Sequence, residues 1–264
     1  MSDLILFHPV KVKTRRYFAE IAKTSEDVYE AQRLRYRIFA GEMGAKIHSL
    51  IEGLDCDALD DYCDHLLVKD QATGEVVACT RLLSDVAAQR FGRFYSESEF
   101  NLNRVLSLPG KFLEIGRTCV DPSHRGSVVM GILWNALAEF VYAGEFNYLM
   151  GCASIPPGPS GFAVDAVYNR ILPEQRGSID LDVSPRVPVP AHLLCTRDEC
   201  GIPPLLQAYL RQGCWVCGDP CYDEDFNVMD LFILLDLTRL NARYEKRFIQ
   251  TKKEITDVRV SALV

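Results

Sequence analysis

Apolar and polar residues alternate through YFAEIA (17–22), which reads as a strand, and then switch to a helical period at Thr24. Thr24 and Asp27 form a capping-box pattern, and the helix they open runs through EDVYEAQRLRYRIFAGE. Val28, Ala31, Leu34 and Ile38 fall on one stripe of that helix, with Arg33 and Arg37 elsewhere. Arg35 and Tyr36 lie beside the stripe, positioned to face a cleft at its edge.

The acidic stretch LDCDALDDYCD has no period and reads as a loop. HLLVKD and EVVACTRLL, joined by QATG, then read as a hairpin. Ser96 and Glu99 repeat the capping-box spacing and predict a short helix. FLEIGRTCV predicts a strand that stops at Asp121 and Pro122, RGSVVMGILWNALAEFVYAG a long apolar helix, and YLMGCASI a buried strand. GFAVDAVYNRIL reads as helical, whereas residues 173–204 hold most of the prolines and little periodicity, as expected of a long surface excursion. IPPLLQAYLRQG has the Pro-first, Gly-last signature of a helix. CWVCG and VMDLFILLDL follow as strands, and a basic C-terminal helix closes the chain. This order predicts one domain of α/β (α+β) class, a mixed and mainly antiparallel sheet with helices on both faces, although order alone leaves several such folds open.

Composition narrows the function classes. No apolar run approaches the roughly 20 residues of a membrane span, and the apolar-then-basic order of MSDLILFHPVKVKTRRYF reverses that of a secretory signal, so the chain is expected to stay in the cytoplasm. Its ten cysteines are then expected to be free thiols. Cys214, Cys217 and Cys221 have one zinc-like spacing but no fourth ligand at an obvious position, and no metal is expected. A formal charge of −7 argues against nucleic acid as a partner. Two basic runs remain: Lys11, Lys13, Arg15 and Arg16, then Arg239, Arg243, Lys246, Arg247, Lys252 and Lys253. They are either solvated charge or docking sites for an acidic carrier protein or a peripheral anionic membrane surface.

The stretch FLEIGRTCVDPSHRGSVVMGILW is specific. It resembles the central strand, turn and helix of the ornithine-lipid type N-acyltransferases, GNAT-superfamily relatives of the acyl-homoserine-lactone synthases. RLRYRIFAGEMG, DDYCDHLLVKD, EVVACTRLL, YSESEFNL, YLMGCASI, IPPLLQAYLRQG and DEDFNVMDLFILL match further blocks in order, so the likeness spans about residues 15–250. The resemblance implies a GNAT-like fold and no bound cofactor. It also implies an acyl carrier protein as thioester donor and transfer to the α-amine of an amino acid, commonly ornithine. CoA-using relatives wrap a pyrophosphate in a glycine-rich turn; here Arg125, Gly126 and Ser127 supply a single glycine, which suits the one phosphodiester of a carrier-protein donor.

An amine attacks a thioester only after losing its proton, and the resemblance places Glu114 as the base; its bland alternative is an ion pair with Arg117. Arg117 stands three residues on, so on a regular strand it would face the opposite way, and the bulge known in GNAT central strands would bring both to the cleft. Its role would be to pair with the acceptor carboxylate or to orient another carboxylate. Arg35 and Arg81 also match family arginines, which either hold the acceptor or brace an internal acidic loop. Asp60 and Asp64 match acidic positions on the acceptor side, where a second amine would need a partner. Cys119 raises a covalent route, for which no histidine but His124 is near in sequence. Phe140, Tyr142, Tyr148, Trp134, Trp215 and Met150 are available to an acyl channel. Rival readings are a CoA-dependent acetyltransferase, a homoserine-lactone synthase, against which the long C-terminal half argues, and a non-catalytic acyl-chain binder.

Overall fold

The computed structural model describes residues 13–14, 16–196 and 201–240. Much of the first basic run and nearly all of the second, where a basic C-terminal helix is expected, lie outside these residues. Among them, no helix is long and apolar enough to cross a membrane.

β1 (Tyr17–Ile21) leads into α1 (Ser25–Tyr36), whose Thr24–Asp27 capping box is formed on both sides. α1 widens into a π-helical stretch over Arg37–Glu42. β2 (Asp64–Asp70) and β3 (Val76–Ser84) form the expected hairpin, followed by α2 (Asp85–Phe91), the two-residue β4 (Phe100–Asn101) and α3 (Asn103–Leu106). β5 (Phe112–Val120), α4 (Ser127–Gly144) and β6 (Tyr148–Ile155) make the centre. α5 (Val164–Arg170), β7 (Ser184–Pro185), α6 (Pro204–Gln212), β8 (Trp215–Val216), β9 (Cys221–Asp223) and β10 (Val228–Asp236) complete the described order.

The main sheet runs β1-β2-β3-β5-β6-β10-β8, with β9 on β10, and every pairing is antiparallel except β5 with β6. Side-chain alternation gives it two apolar faces. Leu66, Val68, Leu82 and Leu113 pack with α4 residues Ile132, Leu133 and Phe140, whereas Leu67 and Cys79 pack with α1 residues Ala31 and Leu34. Helices therefore cover both faces, as the order of elements predicts.

The described part of residues 173–204 runs mostly exposed, as a surface excursion would, but it is fastened. The segment is more than a surface loop: β7 pairs with β4, and Leu181 and Val183 are buried with Cys217, Cys221 and Phe232. The backbone of Val183 passes so close to Gly218, itself at φ +75°, that a Cβ there would lie 2.0 Å from the Val183 carbonyl oxygen. Cys217 and Cys221 thus serve the core on this side, and Cys214 serves the α4 side. All nine described cysteines are free.

Two irregularities at the centre shape the molecule. The parallel ladder of β5 and β6 covers only Phe112–Glu114 against Tyr148–Met150 and then stops, although both strands continue. At the same level β5 gains a residue relative to β3: Cys79 faces Cys119 and Arg81 faces Gly116, so Thr80 alone opposes Arg117 and Thr118. Arg117 takes up the bulge with a left-handed backbone, φ 52°. Where the strands begin to part, a Cβ on Gly151 would come within 2.4 Å of the Ile115 carbonyl oxygen. Gly151→Ala is therefore expected to lower stability by about 1–3 kcal/mol, read as a fall in the urea midpoint without a change in slope.

Candidate active site

Beyond the end of the β5–β6 ladder lies a cavity of about 280 Å³, lined by Glu114, Arg117, Arg81 and Tyr95, among others. The bulge turns both Glu114 and Arg117 toward it. Trp134, Leu149, Met150, Ile233 and Leu235 line a smaller apolar cavity that shares Ile115, Cys152 and Tyr209 with the first. Of the other aromatic candidates, Phe140 sits in the core under α4, Tyr148 stacks on Phe112, and Trp215 lies under the Arg239 guanidinium at 3.7 Å.

Glu114 is 3% exposed and anchored from one short segment. The Tyr95 amide donates to its Oε2 at 2.7 Å, the Ser96 amide donates to Oε1 at 2.7 Å, and the Ser96 hydroxyl donates to Oε1 as well. A carboxylate has about four acceptor positions, so one remains for a water or an amine. Burial pushes its pKa up, and the bonds from Ser96 and Tyr95 oppose that shift without cancelling it. The Ser96–Glu99 spacing does not cap an α-helix: Ser96–Ser98 is one 3-10 turn, and its serine is spent on Glu114.

Arg117 makes its ion pair with Asp55, Nε to Oδ2 at 3.2 Å, not with Glu114. Its guanidinium lies 5.1 Å from the Tyr95 ring centre and 5.0 Å from that of Phe226, within cation–π range of both.

Arg35 and Asp60 lie beneath the cavity and do not line it. Arg35, 1% exposed, donates to both oxygens of Asp60 at 3.0 and 2.8 Å and to Asp55 at 2.9 Å. Arg81 donates to Asp60 at 3.0 Å and Asp57 at 2.7 Å, and Gln32 donates to Asp60 at 2.9 Å. Arg35 and Arg81 thus hold the acidic loop at Asp60, and Arg81 lines the cavity as well. Burial alone would raise the Asp60 pKa, but the Arg35 hydrogen bonds and the charges of Arg35 and Arg81 hold it well below the usual carboxylate range. Asp64, at the start of β2, is largely buried outside the cavity lining, and burial pushes its pKa up.

At the entry to α4, Arg125 is half-exposed and bonds Glu42 at 2.5 Å, Gly126 is the N-cap, and the Ser127 side chain lies outside the described atoms. Cys119 is buried with its sulfur 3.6 Å from that of Cys79, and their contact, with burial, pushes its pKa far up; His124 pairs instead with Asp121 and Asp70. This thiol has no base beside it.

Sequence reasoning overlooked three carboxylates in the cavity wall, Glu99, Asp223 and Asp230. Among the described residues they alone form a cluster of the kind that could hold a metal ion. One signal was available: Asp230 interrupts the apolar run VMDLFILL, a charge where a buried strand should have none.

Comparison with known proteins fits this geometry. The acetyltransferase (GNAT) domain family matches residues 34–135. The L-ornithine N(alpha)-acyltransferase of Rhodobacter capsulatus is 32% identical over 87% of this chain and 93% of its own length. The chain belongs to the L-ornithine N(alpha)-acyltransferase family. It is thus an enzyme, an acyltransferase, and the reading as a mere acyl-chain binder falls away. A second such acyltransferase, from Rhizobium meliloti, is 31% identical over 85% of this chain and 81% of its own. Among solved structures, the CoA-dependent acyl-homoserine lactone synthase BjaI shares the fold with a TM-score of 0.52 at 16% identity, over 88% of this chain and 83% of that one. That coverage corrects the length argument against a lactone synthase, because the C-terminal half of the acyltransferase is part of the common fold. Membership of the ornithine family, not size, separates the two.

Two outcomes follow for this acyltransferase. Asp60→Asn strands two buried arginines and is expected to cost about 3–5 kcal/mol of unfolding free energy in urea melts. Because Asp60 titrates below its unfolded value of about 3.9, its contribution is present above that pH and is lost as pH falls through the lower folded value. Ser96→Ala removes a donor that favours ionised Glu114, so the Glu114 carboxyl is expected to titrate at higher pH, read by infrared or NMR titration of that carboxyl.

Proposed function

We propose that this protein moves a long fatty acyl group, with or without a 3-hydroxyl, from acyl carrier protein to the α-amine of ornithine, yielding a lyso-aminolipid. The observation that carries the reading is Glu114: a carboxylate of raised pKa, held by three donors with one acceptor position left, in the wall of the cavity where β5 and β6 part. The names of the curated relatives support ornithine as the acceptor.

In this reading the α-ammonium loses a proton to Glu114, directly or through a water, and the free amine attacks the thioester carbon. A C–N bond forms as the C–S bond breaks. The amine's second proton leaves as the tetrahedral intermediate collapses, and the carrier's thiolate takes up a proton as it departs. General-base catalysis of this kind contributes about 10²- to 10⁴-fold. The edge of β5 beyond Glu114, no longer paired to β6, offers backbone amides to the developing oxyanion. Arg117, next to two aromatic rings and already beside one carboxylate, suits the acceptor's α-carboxylate.

The apolar cavity around Trp134 and Met150, about 30 Å³, marks where the acyl chain would enter, and it must widen to take a long chain, each buried methylene adding about 0.8 kcal/mol. The donor's phosphodiester would meet the start of α4 at Arg125, Gly126 and Ser127, where one N-cap glycine offers less than a pyrophosphate needs. The carrier protein is the partner in this reading, and the chemistry needs no cofactor.

The test is a matched assay with acyl-carrier and acyl-CoA donors and ornithine, with the acylated nitrogen located by fragmentation mass spectrometry. Expected are acylation on Nα and kcat/KM at least about tenfold higher for the carrier-borne donor. Glu114→Gln is expected to lower kcat at least about 100-fold with the fold retained by circular dichroism. Equal turnover of acetyl-CoA, or undiminished turnover by that variant, would contradict this reading.

A further inference from the structure

The cavity that holds Glu114 also holds three carboxylates for which the transfer chemistry has no use. Glu99, Asp223 and Asp230 each bring an oxygen within 4.8 Å of the others. They come from separate elements: the turn after Ser96, the end of β9 and the start of β10. Asp223 is held by the amides of Asp225 and Phe226, which donate to its Oδ1 at 2.9 and 3.0 Å, and Asp230 accepts the Ser154 hydroxyl at 2.6 Å. Glu99 is different. It is 8% exposed, and neither of its carboxylate oxygens has a hydrogen bond of ordinary geometry; the Cys152 thiol and the Tyr95 hydroxyl are its neutral neighbours. Among the described residues none of the three forms an ion pair; Arg117, the cation that acts on Asp230, spends its own pair on Asp55.

Leaving a buried carboxylate unsatisfied is costly, and gathering three multiplies the cost by mutual repulsion. Burial, then the charge of Asp230, pushes Glu99 far up, and Asp230 is pushed up to about 6. A cation with several donors would relieve all three. An ammonium has three donors and suits three convergent carboxylates.

We propose that Glu99, Asp223 and Asp230 form the subsite for the side-chain ammonium of the amino-acid acceptor, selecting a diamino acid over a neutral one of equal length. This rests on the reading of the protein as an amino-acid N-acyltransferase. The acceptor is then held along its length: α-carboxylate toward Arg117, α-amine at Glu114, terminal ammonium among the three acids. Asp60 and Asp64, which sequence reasoning assigned to a second amine, do not line this cavity, and the trio takes that role.

The test compares ornithine with norvaline, which has the same five carbons and lacks only the terminal amine, using the full chain and acyl-carrier donor. Wild-type kcat/KM is expected to favour ornithine at least about 100-fold. Glu99→Gln and Asp230→Asn are each expected to lower kcat/KM for ornithine at least about tenfold, mainly through KM, and to leave norvaline turnover intact. Their melting temperatures should hold or rise, because Glu99→Gln replaces a carboxyl already neutral in the free protein and Asp230→Asn removes a buried charge, a combination that a merely structural role would not produce. Calorimetry in two buffers of different ionisation enthalpy should show ornithine binding releasing protons near neutral pH, with less release in Glu99→Gln.

Equal loss on both acceptors, or a wild-type enzyme indifferent to the terminal amine, would overturn the proposal while leaving amino-acid acylation standing. So would a stoichiometric divalent ion in the purified protein whose removal abolishes activity and whose return restores it, since the trio would then be a metal site. If no amino acid is bound or acylated at all, the broader reading falls together with this one.

Discussion

One extra residue in β5 governs the arrangement of the site. Without it, Glu114 and Arg117 would project from opposite faces of the sheet, and the strand would run flush with its neighbours. The bulge opposite Thr80 puts Arg117 into a left-handed backbone, turns both side chains toward one space, and coincides with the point where β5 leaves β6. A non-glycine residue persists in that conformation only when its surroundings hold it, and Asp55, Tyr95 and Phe226 do so here.

The bracing continues below the cavity. Arg35, Arg81, Asp55, Asp57 and Asp60 make a buried network in which each carboxylate meets a guanidinium. Such networks add little net stability over apolar packing, but they fix geometry, since any displacement exposes an unpaired charge to a low dielectric. Asp55 belongs both to this network and to Arg117, so the acidic loop before β2 is tied to the bulge on β5. The site is thereby seated on the sheet although much of its wall comes from loops.

Most of the framework was legible in the chain. β5 and β6 begin and end where FLEIGRTCV and YLMGCASI do, and the Thr24–Asp27 cap and the Gly213 stop of α6 stand where local chemistry puts them. Legibility failed where a local rule met a tertiary demand. Ser96 and Glu99 have the spacing of a helix cap, but their side chains are drawn to a strand and a cavity that sequence distance hides. Residues 173–196 lack periodicity because short bridges and turns fasten them, and Leu181 and Val183 add too few buried positions to leave a pattern. Glu114 interrupts its apolar strand as Asp230 does, but its assignment as a base came from resemblance alone.

The stretch Tyr95–Glu99 has a double occupation. Its first two residues clamp Glu114, and its last contributes an orphan acid to the wall of the same chamber. The roles proposed for Glu114 and Glu99 would therefore be coupled through a few peptide units. A lineage adapting to a differently shaped nucleophile would find freer ground on the β9–β10 hairpin, where Asp223 and Asp230 can be exchanged while the clamp stays still.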